Sequence, residues 1–394
     1  MIKLEIDVAK KGHVEIIGAG FGGLVTAIGL ADRGWSVRVH ERRSSLGAEG
    51  YGIAIQDNMA RVFSTLGILD DILAGGIEID RRDSLDGNGN LLLRLNTGLG
   101  RYRISRHHII SLLSKRALAA GVDILTGSNI SGASEEGKIY RSDGKSWSAD
   151  LIVAADGINS KIRESLDLTK NHILRKEGGV RVIIPRLPEE IENDRKHGTT
   201  MVEAWSGDRR ILYCPNSQTE LYVILTCMNK DLSGRVTPLD AESWGKAFPG
   251  MTPLINRVSE CADWNESKWA RFQTIRLKSW STGRIALLGD AAHAMPPYLG
   301  QGAGHAMMNG LGLAVSVNEY SNIFAALDNW EGRERPLTEH TQFWTSIYGK
   351  TIFFPGWLKS LAIKTEKHLP WLALQYSRAS KHIPTGCESG DFRT

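Results

Sequence analysis

The stretch that decides the fold begins with the apolar run Val14–Ile17, which passes directly into Gly18-Ala19-Gly20-Phe21-Gly22-Gly23. A strand that meets a GxGxxG turn and opens a helix is the signature of a dinucleotide site. Gly18 permits the tight turn, Gly20 lets the backbone approach a pyrophosphate, and Gly23 lets helix and strand pack closely. The helix is read from Phe21 to about Arg33, Gly34 breaks it, and Val37–His40 is the next strand. The helix N-terminus faces the phosphate charge. Glu41 ends the second strand. A carboxylate there accepts hydrogen bonds from both ribose hydroxyls and repels a 2′-phosphate, so the bound nucleotide is expected not to be NADP. Phe21 and Arg42 adjoin these positions and join the candidate cofactor contacts.

Outward from this βαβ unit, Asn58–Leu66 reads as an amphipathic helix. Short alternating runs from about Gly75 to Arg103, with the turn Asp86-Gly87-Asn88-Gly89, predict an antiparallel excursion. Helix returns at Arg106–Ala120 with Ser105 as N-cap, and Val122–Leu125 and Leu151–Ala154 read as strands. From Gly178 to about Arg276 the chain is strand-rich, and Arg284–Leu288 is again a buried strand. The fold class is therefore α/β: a Rossmann-like domain with an inserted antiparallel-sheet substrate domain and C-terminal helices. Residues 1–74, 105–170 and 277–345 are expected to build the Rossmann-like cofactor domain, 75–104 and 171–276 the substrate domain, and 346–394 a C-terminal helical region. The stretch Phe353–Ser380 is spaced for amphipathic helices that pack on the body or in a homodimer contact.

Of the 394 residues 42% are apolar and 23% charged, and the net charge of +4 reflects 48 basic against 44 acidic side chains. That balance predicts neither a nucleic-acid nor a membrane partner, and no apolar run reaches the ~18 residues of a spanning helix. Cys214, Cys227, Cys261 and Cys387 form no CxxC pair, and the N-terminus runs straight into a strand. Reduced thiols, no metal site and a cytoplasmic location are expected.

Two further motifs stand beside the first. The apolar strand from Leu151 ends in Asp156-Gly157 and a helix start that includes Ser160 and Arg163. Gly283–Leu288 delivers Gly289-Asp290-Ala291-Ala292-His293, then Pro296-Pro297 and Gly300-Gln301-Gly302-Ala303-Gly304. Asp290 suits a sugar hydroxyl, and the glycines from Gly300 present backbone N–H groups near a helix N-terminus, where they stabilise a developing anion such as the N1–C2=O locus of a reduced flavin. His293 is read as structural.

In this order and spacing, over about residues 13–345, the motifs resemble the class A flavoprotein monooxygenases, the para-hydroxybenzoate hydroxylase fold. Arg106 and the loop Leu46–Ile53 also fit, with Glu49 and Tyr51 unusual in that loop. The resemblance implies a bound FAD and a transient NADH. Gly18, Gly20, Gly23 and Glu41 would hold the ADP half, Arg106 and Asp290 the ribityl–pyrophosphate region, Pro297–Gly304 the isoalloxazine, and Asp156 would contact FAD. The segment Ala303-Gly304-His305-Ala306-Met307-Met308-Asn309 lacks the acidic pair common in the class. Here, and at Arg210–Pro215 and Glu220–Tyr222, the chain resembles oxygenases of pyridine carboxylates. Arg210 and Tyr222 thereby become substrate contacts and catalytic candidates, with Arg210 able to clamp a carboxylate. Arg82 stands near a third contact position, where those enzymes carry tyrosine, and Pro297 would shape the oxygen pocket. The implied function is NADH- and O2-dependent hydroxylation of a small aromatic acid, a hydroxypyridine carboxylate or 6-hydroxy-3-succinoylpyridine. The alternatives are a hydroxybenzoate- or salicylate-type hydroxylase, a flavin dehydrogenase or reductase, and a non-catalytic FAD-binding protein.

Overall fold

The apolar runs that alternate with glycine turns near the start of the chain assemble into a parallel sheet in the computed structural model, which describes residues 11–47, 51–96, 101–365 and 368–390. Its strand order is Ser281–Thr282, Ile285–Leu287, Leu151–Ala154, His13–Ile17, Ser36–His40 and Asp123–Leu125. All neighbours are parallel except the first pair. Leu151–Ala154 and Ile285–Leu287 are buried throughout, as strands covered on both faces must be. Because His13–Ile17, Leu151–Ala154 and Ile285–Leu287 lie side by side and run the same way, they deliver Gly18, Asp156 and Gly289 to one edge. That edge is where ligands bind in open parallel sheets.

The second large sheet, in the region expected to bind substrate, has seven strands ordered Ala270–Leu277, Thr169–Pro185, Glu220–Met228, Arg209–Pro215, Thr200–Ser206, Arg81–Asp86 and Leu91–Asn96. Alternate residues divide its faces. Val180, Val182, Ile211, Val223 and Leu225 pack with Trp244, Phe248, Ile255 and Val258 from the helices Ala241–Ala247 and Thr252–Cys261. Arg210, Leu212 and Cys214, with their cross-strand partners Thr226, Ile224 and Tyr222, occupy the other face. That face meets the cofactor domain, where Tyr51 and Tyr298 pack against Cys214, Tyr222 and Ile224.

Several elements differ from the sequence reading. Arg81–Asp86 pairs parallel with Thr200–Ser206, so the 75–104 excursion is not wholly antiparallel. Its flanks, Gly76–Glu78 and Tyr102–Ile104, join Ile53–Ile55 in a separate sheet. The region read as strand-rich also holds helices Pro188–His197, Ala241–Ala247 and Thr252–Cys261, and the last two cover the apolar face that a single sheet would leave in water. Ile323–Gly349 runs as one helix across position 345. Beyond it, Gly356–Thr365 is anchored by Lys359, whose Nζ donates to the carbonyls of Gly207 and Ile352. No helix among the described residues is long and apolar enough to cross a membrane.

Trp244 is fully buried, stacks on Phe248 at 5.8 Å between ring centres and donates its indole N–H to the Gly234 carbonyl. Trp244→Ala is expected to cost about 3–5 kcal/mol, read as a lower denaturant midpoint of the FAD-loaded protein.

Candidate functional site

The glycine turn satisfies each requirement read from sequence. Gly18 has φ +105°, and a Cβ there would stand 2.4 Å from the carbonyl oxygen of Ala155. A Cβ on Gly23 would stand 2.0 Å from the carbonyl oxygen of Gly18. A Cβ on Gly20 would meet nothing within 4 Å, because that residue faces the open cleft. Phe21, Glu41, Arg42, Ser128, Asp156 and Gly157 line the same cleft. Glu41 accepts from the N–H of Ala19 and of Arg43, both at 3.0 Å. Each carboxylate oxygen keeps a further lone pair for a sugar hydroxyl.

Asp156 Oδ2 accepts from the N–H of Lys161 at 2.9 Å, while its Oδ1 is buried without a partner. Burial pushes this carboxyl above its ordinary range. Arg106 opens its helix behind the Ser105 N-cap, with its guanidinium 5.1 Å from the ring centre of Phe21. Arg106 lines the cleft, and both it and Asp290 keep exposed surface while protein surrounds them. Burial raises the Asp290 carboxyl against the opposing pull of Arg106 and Arg181, and lowers the Arg106 guanidinium against the pull of Asp290. An orphaned buried acceptor, open backbone at Gly20 and Gly157, and a facing cation and carboxylate fit FAD.

Pro297–Leu299 makes one tight turn, Gly300 adopts φ +64°, and Gly302 opens an 18-residue helix whose first turn carries Ala303 and Gly304. Three amides hold this loop. Asn58 Nδ2 donates to Gln301 Oε1 at 2.8 Å, Gln301 Nε2 to Gln56 Oε1 at 2.6 Å, and Gln56 Nε2 to the Leu299 carbonyl at 3.1 Å. Sequence reading missed them because Gln56 and Asn58 lie more than 240 positions from Gln301. It also assigned no role to Arg163, which donates to the carbonyls of Ala291 at 3.0 Å and Ile158 at 2.8 Å and so ties the second motif to the third. A buried arginine two residues into a five-residue helix was the available signal.

His293 is structural here. Its Nε2 accepts from the N–H of Gly289 at 3.1 Å, with Asn309 Nδ2 at 3.0 Å. Asn309 and His305 both meet Thr338 Oγ1, at 3.2 and 3.0 Å. A neutral buried network thus ties the segment Ala303–Asn309 to His293 and Thr338.

The expected substrate residues share one face without converging on an open cation. Arg210 is buried, and its Nε donates to Glu203. Burial would raise the Glu203 carboxyl, but Arg210 and Arg82 outweigh it and hold it below its ordinary range. Glu203 Oε2 accepts from the Tyr348 hydroxyl at 3.2 Å. Arg209 faces the opposite way, paired with Asp231. Tyr222 packs against Tyr51 at 5.7 Å between ring centres, with the Arg103 guanidinium 3.9 Å above its ring. The Arg82 strand lies beside that of Glu203, in register Arg82 to Met201. Sequence reading missed Glu203 and Tyr348. The Glu49 expectation falls outside the described residues. Among the described residues no acidic, histidine or cysteine cluster could hold a metal.

A model of the FAD binding domain family matches residues 11–322. A putative 2-heptyl-3-hydroxy-4(1H)-quinolone synthase of Rhodococcus erythropolis is 36% identical over 382 residues, 96% of this chain and 98% of the relative. A 6-hydroxynicotinate 3-monooxygenase of Bordetella bronchiseptica is 28% identical over 75% of this chain and 80% of its own. The tetrameric form of 2-methyl-3-hydroxypyridine-5-carboxylic acid oxygenase superposes with TM-score 0.83 at 33% identity, covering 95% of this chain and 98% of that one.

Two outcomes are expected. Gly23→Ala forces helix and strand apart and should yield protein that does not retain flavin colour through gel filtration. Burial lowers the His293 imidazole to about 4. The unfolded chain binds that proton near pH 6.5, so the stabilising effect is full above pH 6.5 and is lost as pH falls towards 4. The loss is about 3 kcal/mol, and His293→Gln should flatten the fall in Tm over that window.

Proposed function

The chain belongs to the FAD-binding domain family and is an FAD-dependent aromatic-ring monooxygenase; from that premise we propose that it hydroxylates a nitrogen heteroaromatic ring with NADH and O2. The observation that carries this reading is the lining opposite the Pro297–Gly304 loop. Tyr51, Leu212, Tyr222, Ile224 and Phe272 gather with Tyr298 of that loop in one apolar, largely aromatic cluster, the chemistry against which a flat ring packs. The quinolone, hydroxynicotinate and hydroxypyridine relatives all take their names from such rings.

FAD supplies the electrons and the site of O2 activation. Gly18, Gly20, Gly23 and Glu41 would anchor its adenosine diphosphate, and Arg106 and Asp290 its ribityl–pyrophosphate stretch. The N–H groups that open Gly302–Glu319 would stabilise negative charge on the reduced flavin. Pro297 and Tyr298 exclude water from the reacting face. Burial pushes the Tyr298 phenol upward, so it stays protonated. Tyr222 is the candidate that holds the substrate hydroxyl. We propose self-association as well, through the exposed Trp357, Leu361, Trp371 and Leu374 of the C-terminal helices; Trp371→Glu should then lower the mass seen by sedimentation.

The central test is turnover of the FAD-loaded protein under 18O2 with NADH and a panel of hydroxylated quinolines and pyridines. One 18O atom is expected in the product of any ring that stimulates NADH oxidation. Stimulated oxidation with no label in the product would identify a dehydrogenase instead.

A further inference from the structure

Which heteroaromatic ring fits is a question of charge, and the answer below rests on the oxygenase reading above. An acid substrate needs a cation whose charge the protein has not already answered. Arg210 is the residue whose position suggests such a clamp, but Glu203 Oε1 takes its Nε, and the two side chains are 5% and 2% exposed. The remaining surface of the guanidinium is packed between rings, with Trp205 at 5.3 Å and Tyr298 at 5.8 Å. Glu203 is itself fixed from a second direction by the Tyr348 hydroxyl. A carboxylate entering here would displace Glu203 or lie beside it, and two like charges in so dry a place repel strongly. Met201, Leu212, Tyr222, Ile224 and Phe272 beside the pair are uncharged, and the other cations of this face act on carboxylates already present, Arg82 on Glu203 and Arg181, opposite Ile224, on Asp290. Arg103, at the far end, turns Nη2 to the Gly52 carbonyl and its face to Tyr222.

We infer that Glu203 is a specificity-determining residue: by answering the charge of Arg210 internally, it selects a neutral hydroxylated heteroaromatic over a ring that bears a carboxylate. The pair also accounts for a buried arginine beside an apolar cluster, since Arg210 there serves to hold Glu203 and Tyr348 in place and not to bind the ligand.

The test compares a neutral ring, 4-hydroxyquinoline, with an acidic one, 6-hydroxynicotinate, on the FAD-loaded full chain. Flavin absorbance shifts give Kd, and stimulated NADH oxidation gives kcat/KM. The wild type should favour the neutral ring by about 100-fold in kcat/KM, the scale of one unanswered buried charge. Glu203→Gln, which keeps shape and removes charge, should shrink that ratio by about 10-fold or more through tighter binding of the acid. Glu203→Gln/Arg210→Gln should restore it. A wild type that prefers the acid, for instance through Arg103, overturns the inference, as does an unchanged ratio in Glu203→Gln. If the single variant fails to load FAD, the wild-type ratio alone decides. If no ring of either charge shifts the flavin or stimulates NADH oxidation, the oxygenase reading itself falls; a labelled product with the wrong charge preference sinks only the role of Glu203.

Discussion

No side chain fits between Gly23 and the carbonyl of Gly18, and the cofactor site follows from that contact. Helix Phe21–Ala31 lies close enough to its strand for its N-terminus to point into the cleft, where its unpaired N–H groups favour phosphate. The parallel neighbours Leu151–Ala154 and Ile285–Leu287 then place Asp156 and Asp290 at the same edge, because parallel strands in one sheet end on one side. Arg163 locks the arrangement by bonding to carbonyls of both later motifs. Three segments spread over more than 260 residues thus come together through backbone geometry.

Behind that site the protein buries neutral polar groups. His293, Asn309, Thr338 and His305 form a buried chain of hydrogen bonds without a formal charge. Neutral groups avoid the large desolvation cost of a buried carboxylate, and the network leaves His305 Nε2 and Asn309 Oδ1 without a partner. The consequence is a turn at Gly289 that is held firmly at neutral pH and loosened by acid, since protonating His293 places a charge in a dry core.

The seven-stranded sheet follows a different logic. Its outer face is an ordinary apolar interface with two helices, and its inner face mixes aromatic residues with the buried ion pair of Arg210 and Glu203. Replacing such a pair with apolar residues is often neutral for stability, whereas removing one partner alone leaves an unanswered buried charge. The pair's partner Tyr348 comes from the long helix after the FAD-binding segment, which couples the inner face to the C-terminal region.

The sequence by itself determined the cofactor half of this protein. Gly18, Gly20, Gly23, Glu41, Asp156 and Asp290 work through turns and strand ends, which local residue type and spacing dictate, so they stand where the sequence places them. The helices within 178–276 were not legible, because short amphipathic segments between strands have weak periodicity and form only by packing on the sheet. The state of Arg210 was decided by tertiary structure alone. Its position on the inner face follows from strand alternation, but its partner does not. Glu203 reaches it across the hairpin and Tyr348 fixes that carboxylate from 145 residues further along the chain. A side chain's charge is answered by whatever the folded chain brings beside it, and the linear sequence carries no measure of that distance.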